Sequence, residues 1–226
     1  MSFKSAVITF PGSNCDRDAL TYLRDLTQGE VLNIWHEESS LPNVDLVILP
    51  GGFSFGDYLR SGAMAAKSNI IHDVIDHANN GRYLLGICNG FQILTEIGLL
   101  KGALIQNKSI KFLGKDCHIK KKFDNKFNCN IKDNEVLQIP VAHNEGNFYC
   151  DQETLGYLQG EGLIAFEYCR GEYQIDDGNI NGSLDNIAGI TNKNRNILGM
   201  MPHPERAYQD FHVSKDGKKI IESILS

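Results

Sequence analysis

Five residues, Gly86-Ile87-Cys88-Asn89-Gly90, set a thiol between two glycines where an apolar run ends. This is the glycine–x–nucleophile–x–glycine form of a nucleophile elbow, with sulfur in place of a serine oxygen. A strand that turns straight into a helix crowds its neighbours, and residues without a Cβ let the turn close. The turn exposes the central side chain and sets it at a helix N-terminus, where unpaired N–H groups and the helix dipole favour thiolate over thiol. The amide N–H of Asn89 is then free to hold a developing oxyanion. A small buried cysteine between packing glycines has the same five-residue pattern, so a catalytic reading needs partners.

A thiol attacking an amide needs a base to take its proton and later return one to the leaving amine. "MMPHPER" at 200–206 offers both a base and a group to orient it. Pro202 and Pro204 bias the residues before them toward extended backbone. In an extended segment His203 and Glu205 point to the same side, with Cα atoms about 6.5–7 Å apart. The carboxylate then holds one imidazole nitrogen and leaves the other for the sulfur. Taken alone, "HPE" equally describes a proline-stiffened surface loop. A third piece, "LPGGFSFGDYLRSG" at 49–62, has two glycines that can turn peptide N–H groups toward a neighbouring pocket. A phosphate-binding loop is the competing reading, but no G-K-[ST] ending or G-x-G-x-x-G is present.

The elements that must position these groups alternate. Apolar runs at 6–10, 30–35, 45–50 and 82–87 read as strands. Helical patterns are read over about 14–28, 63–80 and 90–97. That rhythm predicts an α/β fold: a doubly wound, mostly parallel, flavodoxin-like sheet with helices on both faces, binding its ligand beyond the carboxyl ends of the strands. Between about 108 and 190 short β-like runs alternate with Asn/Asp/Gly-rich turns. These are read as extra antiparallel strands of the same unit, so that 1–226 forms a single domain. "NILGMMPHPE" returns to the sheet and "KDGKKIIESIL" closes the chain as a helix.

The totals bound the function. In 226 residues, 42% are hydrophobic and 22% charged, which is ordinary globular composition. A formal net charge of −6 argues against nucleic-acid binding. The one dense basic run, "IKKKF" at 119–123, is read as a solvated strand edge. No apolar run reaches the roughly 18 residues of a membrane helix, and the N-terminus lacks a signal-peptide pattern. The chain is read as cytoplasmic, with no membrane partner. Its six cysteines form no C-x-x-C pair, so neither a disulfide framework nor a structural metal site is expected.

Taken together, "PGG…GICNGFQ…HPE" resembles the class I (triad-type) glutamine amidotransferases. The longer strings "LPGGFSFGDYLRSGA", "LGICNGFQIL", "IPVAHNEGNFYC" and "NILGMMPHPERA" resemble the branch that supplies glutaminase subunits to phosphoribosylformylglycinamidine synthases of purine biosynthesis. The likeness runs from residue 6 to about 207 and is poorest over 115–135. It implies Cys88 as nucleophile, His203 as general base and acid, and Glu205 as its orienting group. Backbone groups of Gly51, Gly52, Phe53 and Asn89 would hold the oxyanion. Gln92, one helical turn after Cys88, would help seat glutamine, as would His143, Asn147 and Phe148 of "HNEGNF". The resemblance further implies a large synthetase subunit that carries ATP and Mg and accepts ammonia, a small third subunit, and no cofactor on this chain. Asp57, Tyr58 and Arg60 are expected to touch the partner or link its state to the site. Glutaminases of other pathways, such as pyridoxal phosphate synthesis, share the triad but should lack "GNFYC" and "FGDYLRSGA". Free-standing cysteine hydrolases of the same architecture usually carry histidine beside the elbow, where this chain has Asn89. A non-catalytic binding module on the same scaffold is disfavoured by three filled triad positions.

Overall fold

The computed structural model describes residues 3–171 and 178–226. Nine strands form one sheet. β1 (Lys4–Thr9), β2 (Glu30–Trp35), β3 (Leu46–Leu49), β4 (Tyr83–Ile87) and β11 (Ile197–Met200) stand in the order β2-β1-β3-β4-β11, all parallel. Beyond β11 the sheet continues antiparallel through β10 (Ile187–Thr191), β9 (Ile164–Tyr168), β6 (Leu113–Lys121) and β7 (Val136–His143). Following the pairings, seven of the nine strands point the same way, so β7 delivers its carboxyl end to the same edge as β3, β4 and β11.

The parallel strands form because their apolar runs are continuous. All four residues of β3 are buried, as a strand covered on both faces requires. The chain leaves β1 toward one edge through α1 (Asp16–Thr27) and leaves β3 toward the other through α2 (Ile71–Asn79). Right-handed crossovers therefore put these two helices on opposite faces. α5 (Lys218–Leu225) joins α1, and the Tyr22 hydroxyl donates to the Gly217 carbonyl at 2.5 Å. α3 (Asn89–Glu96) starts directly after the elbow, and six of its eight residues are buried.

Three expectations are corrected. The helix read over 63–80 begins only at Ile71, because a 3-10 turn at Ala65–Lys67 gives way to an extended Ser68 (φ −67°, ψ 149°). The 108–190 stretch also holds a helix, α4 (Gln152–Gly160), capped by the Asp151 carboxylate accepting from Thr154 N–H. It buries only Leu158, so it shows no apolar stripe. The lysine run is not a sheet edge: β6 lies between β7 and β9. Lys121 pairs with Asp124 and Asp133, and Lys122 pairs with Glu167. A separate two-stranded ribbon, β5 (Ala103–Ile105) with β8 (Asn147–Tyr149), lies outside the main sheet.

Candidate active site

Cys88 follows β4 and caps α3 with φ 51° and ψ −105°. This is a strained conformation for a residue with a Cβ, and the strain rests on the cysteine itself. The flanking glycines serve close approach. A Cβ on Gly86 would lie 2.7 Å from the Gly90 carbonyl group, and one on Gly90 would lie 2.0 Å from the Leu49 carbonyl oxygen. Without them α3 could not pack down on β3 and β4. The Cys88 N–H donates to the Met200 carbonyl at 2.8 Å, tying the elbow to β11.

β11 is the strand that leads to His203. The segment is not extended throughout: His203 is (φ −100°, ψ 87°), but Pro204 opens a 3-10 turn, Pro204–Arg206. Proline biases the residue before it toward extended backbone, while its own fixed φ suits the first helical position. The turn brings Glu205 back, so that Oε1 lies 2.6 Å from His203 Nδ1. Both residues are 1% exposed. The His203 N–H donates to the Pro140 carbonyl at 2.8 Å, fixing this loop to β7. Burial alone would pull the imidazole pKa down, but the Glu205 carboxylate, helped by the sulfurs of Cys88 and Cys15, holds it well above the ordinary histidine range. Nε2 has no hydrogen-bond partner among the described residues. The Cys88 thiol instead donates to the Ala142 carbonyl at 3.6 Å, so the sulfur–imidazole hydrogen bond is not formed in this resting arrangement.

The cavity above Cys88 measures about 220 Å³ and is lined by Gly52, Phe53, Asp57, Ser61, Cys88, Gln92, Ala142, His143, Asn144 and Glu145. Of the oxyanion candidates, the Phe53 N–H is taken, donating to the Gly12 carbonyl at 3.2 Å. The N–H groups of Gly52 and Asn89 find no intramolecular acceptor among the described residues. Gly51 lies behind the cavity: a Cβ there would meet His203 Cε1 at 2.6 Å. The Asn89 side chain holds the loop, accepting from Ser54 N–H at 3.2 Å and donating to Gln92 Oε1 at 2.9 Å. Gln92 in turn donates to the Glu145 carbonyl at 2.6 Å, linking α3 to the loop after β7.

His143 is 3% exposed. Burial, with His203 nearby, holds its pKa down at about 3, so the ring is neutral. Asn147 and Phe148 do not line the cavity. They belong to β8, where alternation turns Phe148 into the core: it stacks on Phe91 and its N–H donates to Ser183 Oγ. The Asn147 amide reaches the Gln106 carbonyl at 3.4 Å. Of the three residues expected to face the partner, Asp57 lines the cavity, Tyr58 is 69% exposed, and Arg60 pairs outward with Glu96.

Cys15, which sequence reasoning did not single out, sits at the foot of α1 with its sulfur against the triad. Donor atoms of Cys15, His203 and Glu205 lie within 4.8 Å of one another. The Arg206 guanidinium donates to Cys15 Sγ at 3.1 Å and to Asp18 at 2.9 Å. A metal ion at these three donors would have to displace that cation and break the imidazole–carboxylate bond, so the cluster suits proton transfer better than metal binding. Its signal was available, since "PGSNC" follows β1 at the carboxyl edge of the sheet. No helix among the described residues is long and apolar enough to cross a membrane.

Comparison with known proteins identifies the family. The model of the CobB/CobQ-like glutamine amidotransferase domain matches residues 2–223. The phosphoribosylformylglycinamidine synthase subunit PurQ of Novosphingobium aromaticivorans is 46% identical, over 100% of this chain and 97% of its own. That of Aquifex aeolicus is 45% identical, over 99% of each. Among solved structures, a chain of PurLQS from Thermotoga maritima superposes with a TM-score of 0.86 at 39% identity, covering 100% of this chain and 98% of that one. The chain is a member of the CobB/CobQ-like glutamine amidotransferase family.

Proposed function

We propose that this chain is the glutaminase subunit of a phosphoribosylformylglycinamidine synthase, releasing ammonia from glutamine for the ATP-dependent amination of formylglycinamide ribonucleotide. Cys88 Sγ attacks the side-chain carboxamide carbon and His203 takes the thiol proton. The N–H groups of Gly52 and Asn89 hold the oxyanion of the tetrahedral adduct. His203 returns the proton to the leaving nitrogen, ammonia departs, and a γ-glutamyl thioester remains. A water, deprotonated by His203, then hydrolyses the thioester to glutamate and restores the thiol. Glu205 stabilises the imidazolium formed in each half, while Gln92 and His143 seat the substrate.

The observation that carries this reading is the meeting of Cys88, His203 and Glu205 at the carboxyl ends of two adjacent parallel strands, beside a cavity of amino-acid size. The names of the relatives support the pathway, and the likeness to a chain of the Thermotoga maritima PurLQS complex supports a large synthetase and a small third subunit as partners. ATP and Mg belong to the synthetase, and residues 1–226 act as a single domain in the cytoplasm. Ammonia release from glutamine, measured alone and with the synthetase, tests it. Wild type should be active in the complex and Cys88→Ala inert; retained activity in Cys88→Ala would end the nucleophile assignment.

A further inference from the structure

Glu205 is short of partners for a buried charge. Its side chain is 1% exposed and makes a single hydrogen bond, accepting from His203 Nδ1 at Oε1, 2.6 Å away. The other oxygen, Oε2, is buried with no partner among the described residues. A carboxylate removed from water needs further donors or a nearby cation to stay ionised. The titratable groups around the pair are Cys88, Cys15, His143, Cys117, Tyr22 and Arg206. His143, its Nδ1 3.0 Å from Asn107 Oδ1, stays neutral because burial holds its pKa down at about 3. The others apart from Arg206 are thiols and a phenol. The Arg206 guanidinium is the one permanent cation in this set.

That cation makes no bond to Glu205. Its Nε donates to Asp18 Oδ2 at 2.9 Å and its Nη2 to Cys15 Sγ at 3.1 Å. Cys15 caps α1 and Asp18 lies in its first turn, so the helix holds the guanidinium at two points. Cys15 is 3% exposed, and its sulfur lies within 4.8 Å of donor atoms of both His203 and Glu205. The thiol proton goes to Asn14 Oδ1 at 3.4 Å, which leaves sulfur lone pairs for Arg206. A guanidinium free to reach Glu205 would grip the carboxylate with two N–H groups and compete with the imidazole for it. Tethered on α1, it contributes its charge and leaves the carboxylate to His203. Burial works against the Arg206 charge, and Cys15, Asp18 and Glu205 together outweigh it.

We propose that Arg206 is a positioning residue of the glutaminase reaction: tethered to Asp18 and Cys15, it keeps Glu205 ionised and aimed at His203 without bonding to it. Cys15 is the spacer that sets the guanidinium apart from the pair. The inference rests on the glutaminase reading above. None of Arg206, Asp18 and Cys15 lines the cavity over Cys88, so their loss should act on turnover and not on the hold on glutamine.

The test has two arms. In the assembled enzyme, Arg206→Met should lower kcat for glutamine roughly 30- to 100-fold, the scale of a misplaced catalytic group, with KM within about threefold of wild type. Arg206→Lys keeps the charge but not the fork, and should recover at least roughly 5-fold of that loss. Asp18→Ala frees the guanidinium to swing onto Glu205 and should lower kcat roughly 10-fold or more. Because Asp18 acts through Arg206, adding Asp18→Ala to Arg206→Met should not deepen the loss. The second arm needs no glutamine and uses the full-length chain. A charge-assisted bond as short as that between His203 and Glu205 deshields the Nδ1 proton, giving a far-downfield NMR signal. The signal should move upfield or vanish in Arg206→Met and persist in Arg206→Lys. Asp18→Ala gives the same comparison where Arg206→Met does not fold. An unmoved signal, a kcat within about threefold of wild type, or equal losses in the Met and Lys variants would overturn the assignment. A wild type that released no ammonia would end the glutaminase reading, while the NMR comparison would still decide whether Arg206 positions Glu205.

Discussion

Gly51 offers a way to disturb the imidazole without altering any reacting group. Its φ lies outside the left-handed region, so alanine carries no backbone penalty there. The added Cβ, however, would stand 2.6 Å from His203 Cε1, with His203 Nδ1 at 3.3 Å and Cys15 Sγ at 3.2 Å. Carbon–carbon contact begins near about 3.5 Å, so the ring must yield by about 0.9 Å. It is fully buried and held by Glu205 at 2.6 Å, so it has little room to yield without losing its aim at Cys88. A misplacement of that size costs on the order of 100-fold in rate, or about 2.7 kcal/mol of transition-state stabilisation. Overpacking of this kind destabilises by about 1–3 kcal/mol, equivalent to roughly 2–12 °C in a chain of this length. The expected outcome for Gly51→Ala is therefore a folded protein, melting a few degrees early, whose kcat/KM for glutamine falls about 100-fold. The oxyanion donors remain, because alanine keeps its peptide N–H. Initial-rate assays of glutamate formation, paired with thermal melts, read both quantities. Activity within about threefold of wild type at an unchanged melting temperature would refute the tight packing of Gly51 against the ring.

Glu205→Gln should lower kcat by roughly 100-fold or more and destabilise the fold by about 3–5 kcal/mol, as breaking a buried pair does. Because His203 titrates above its unfolded value, the stability from this pair is complete below about pH 6.5 and is lost as pH rises through the folded value. The deficit of Glu205→Gln should therefore shrink in alkaline solution, and a pH-independent deficit in denaturant titrations would contradict it. Asp57→Asn should act in the opposite sense. A carboxyl raised to about 6 stabilises the fold fully only below its unfolded pKa, so at neutral pH the native state bears a penalty that asparagine removes. After discounting for its half-exposed position, the gain is about 1 kcal/mol, or roughly 2–4 °C. It should vanish toward pH 4 in melting curves. Arg60→Ala removes an exposed pair with Glu96 and should leave the melting temperature unmoved while lowering glutamine-dependent turnover of the assembled enzyme. Unchanged turnover would remove this loop segment from the partner interface.

The parallel half of the fold was legible because its strands are uninterrupted apolar runs ending in glycine-rich turns, and β2 coincides with the run read at 30–35. α4 was not, because a helix that buries one leucine and contains Gly156 and Gly160 leaves no periodic trace. Its Asp151 cap was the available sign. At the site, local spacing identified Cys88 and the His203–Glu205 pair, since each is set by its own turn. Spacing could not show that β7 ends beside the elbow, because that depends on four antiparallel strands pairing at long range. Asn107 therefore escaped, and Glu145 was covered only as part of the stretch 143–148, while Asn147 and Phe148, two and three residues past it, were counted individually although β8 carries them off the cavity. Phe53 was misjudged for a related reason: its N–H is claimed by Gly12, on a loop distant in sequence.

β4 and β11 are hydrogen-bonded neighbours, with Ile87 opposite Met200. This arrangement gives the two halves of the site unequal stiffness. Moving the sulfur relative to the imidazole would mean shearing the ladder at the middle of the sheet. The opposite wall hangs from the 51–62 loop, where Phe55, Asp57 and Leu59 all hold positive φ and store strain that a small push could release. A docked protein that throttles this enzyme would therefore find its cheapest lever in that wall, changing how firmly glutamine is gripped while leaving thiol reactivity as it was.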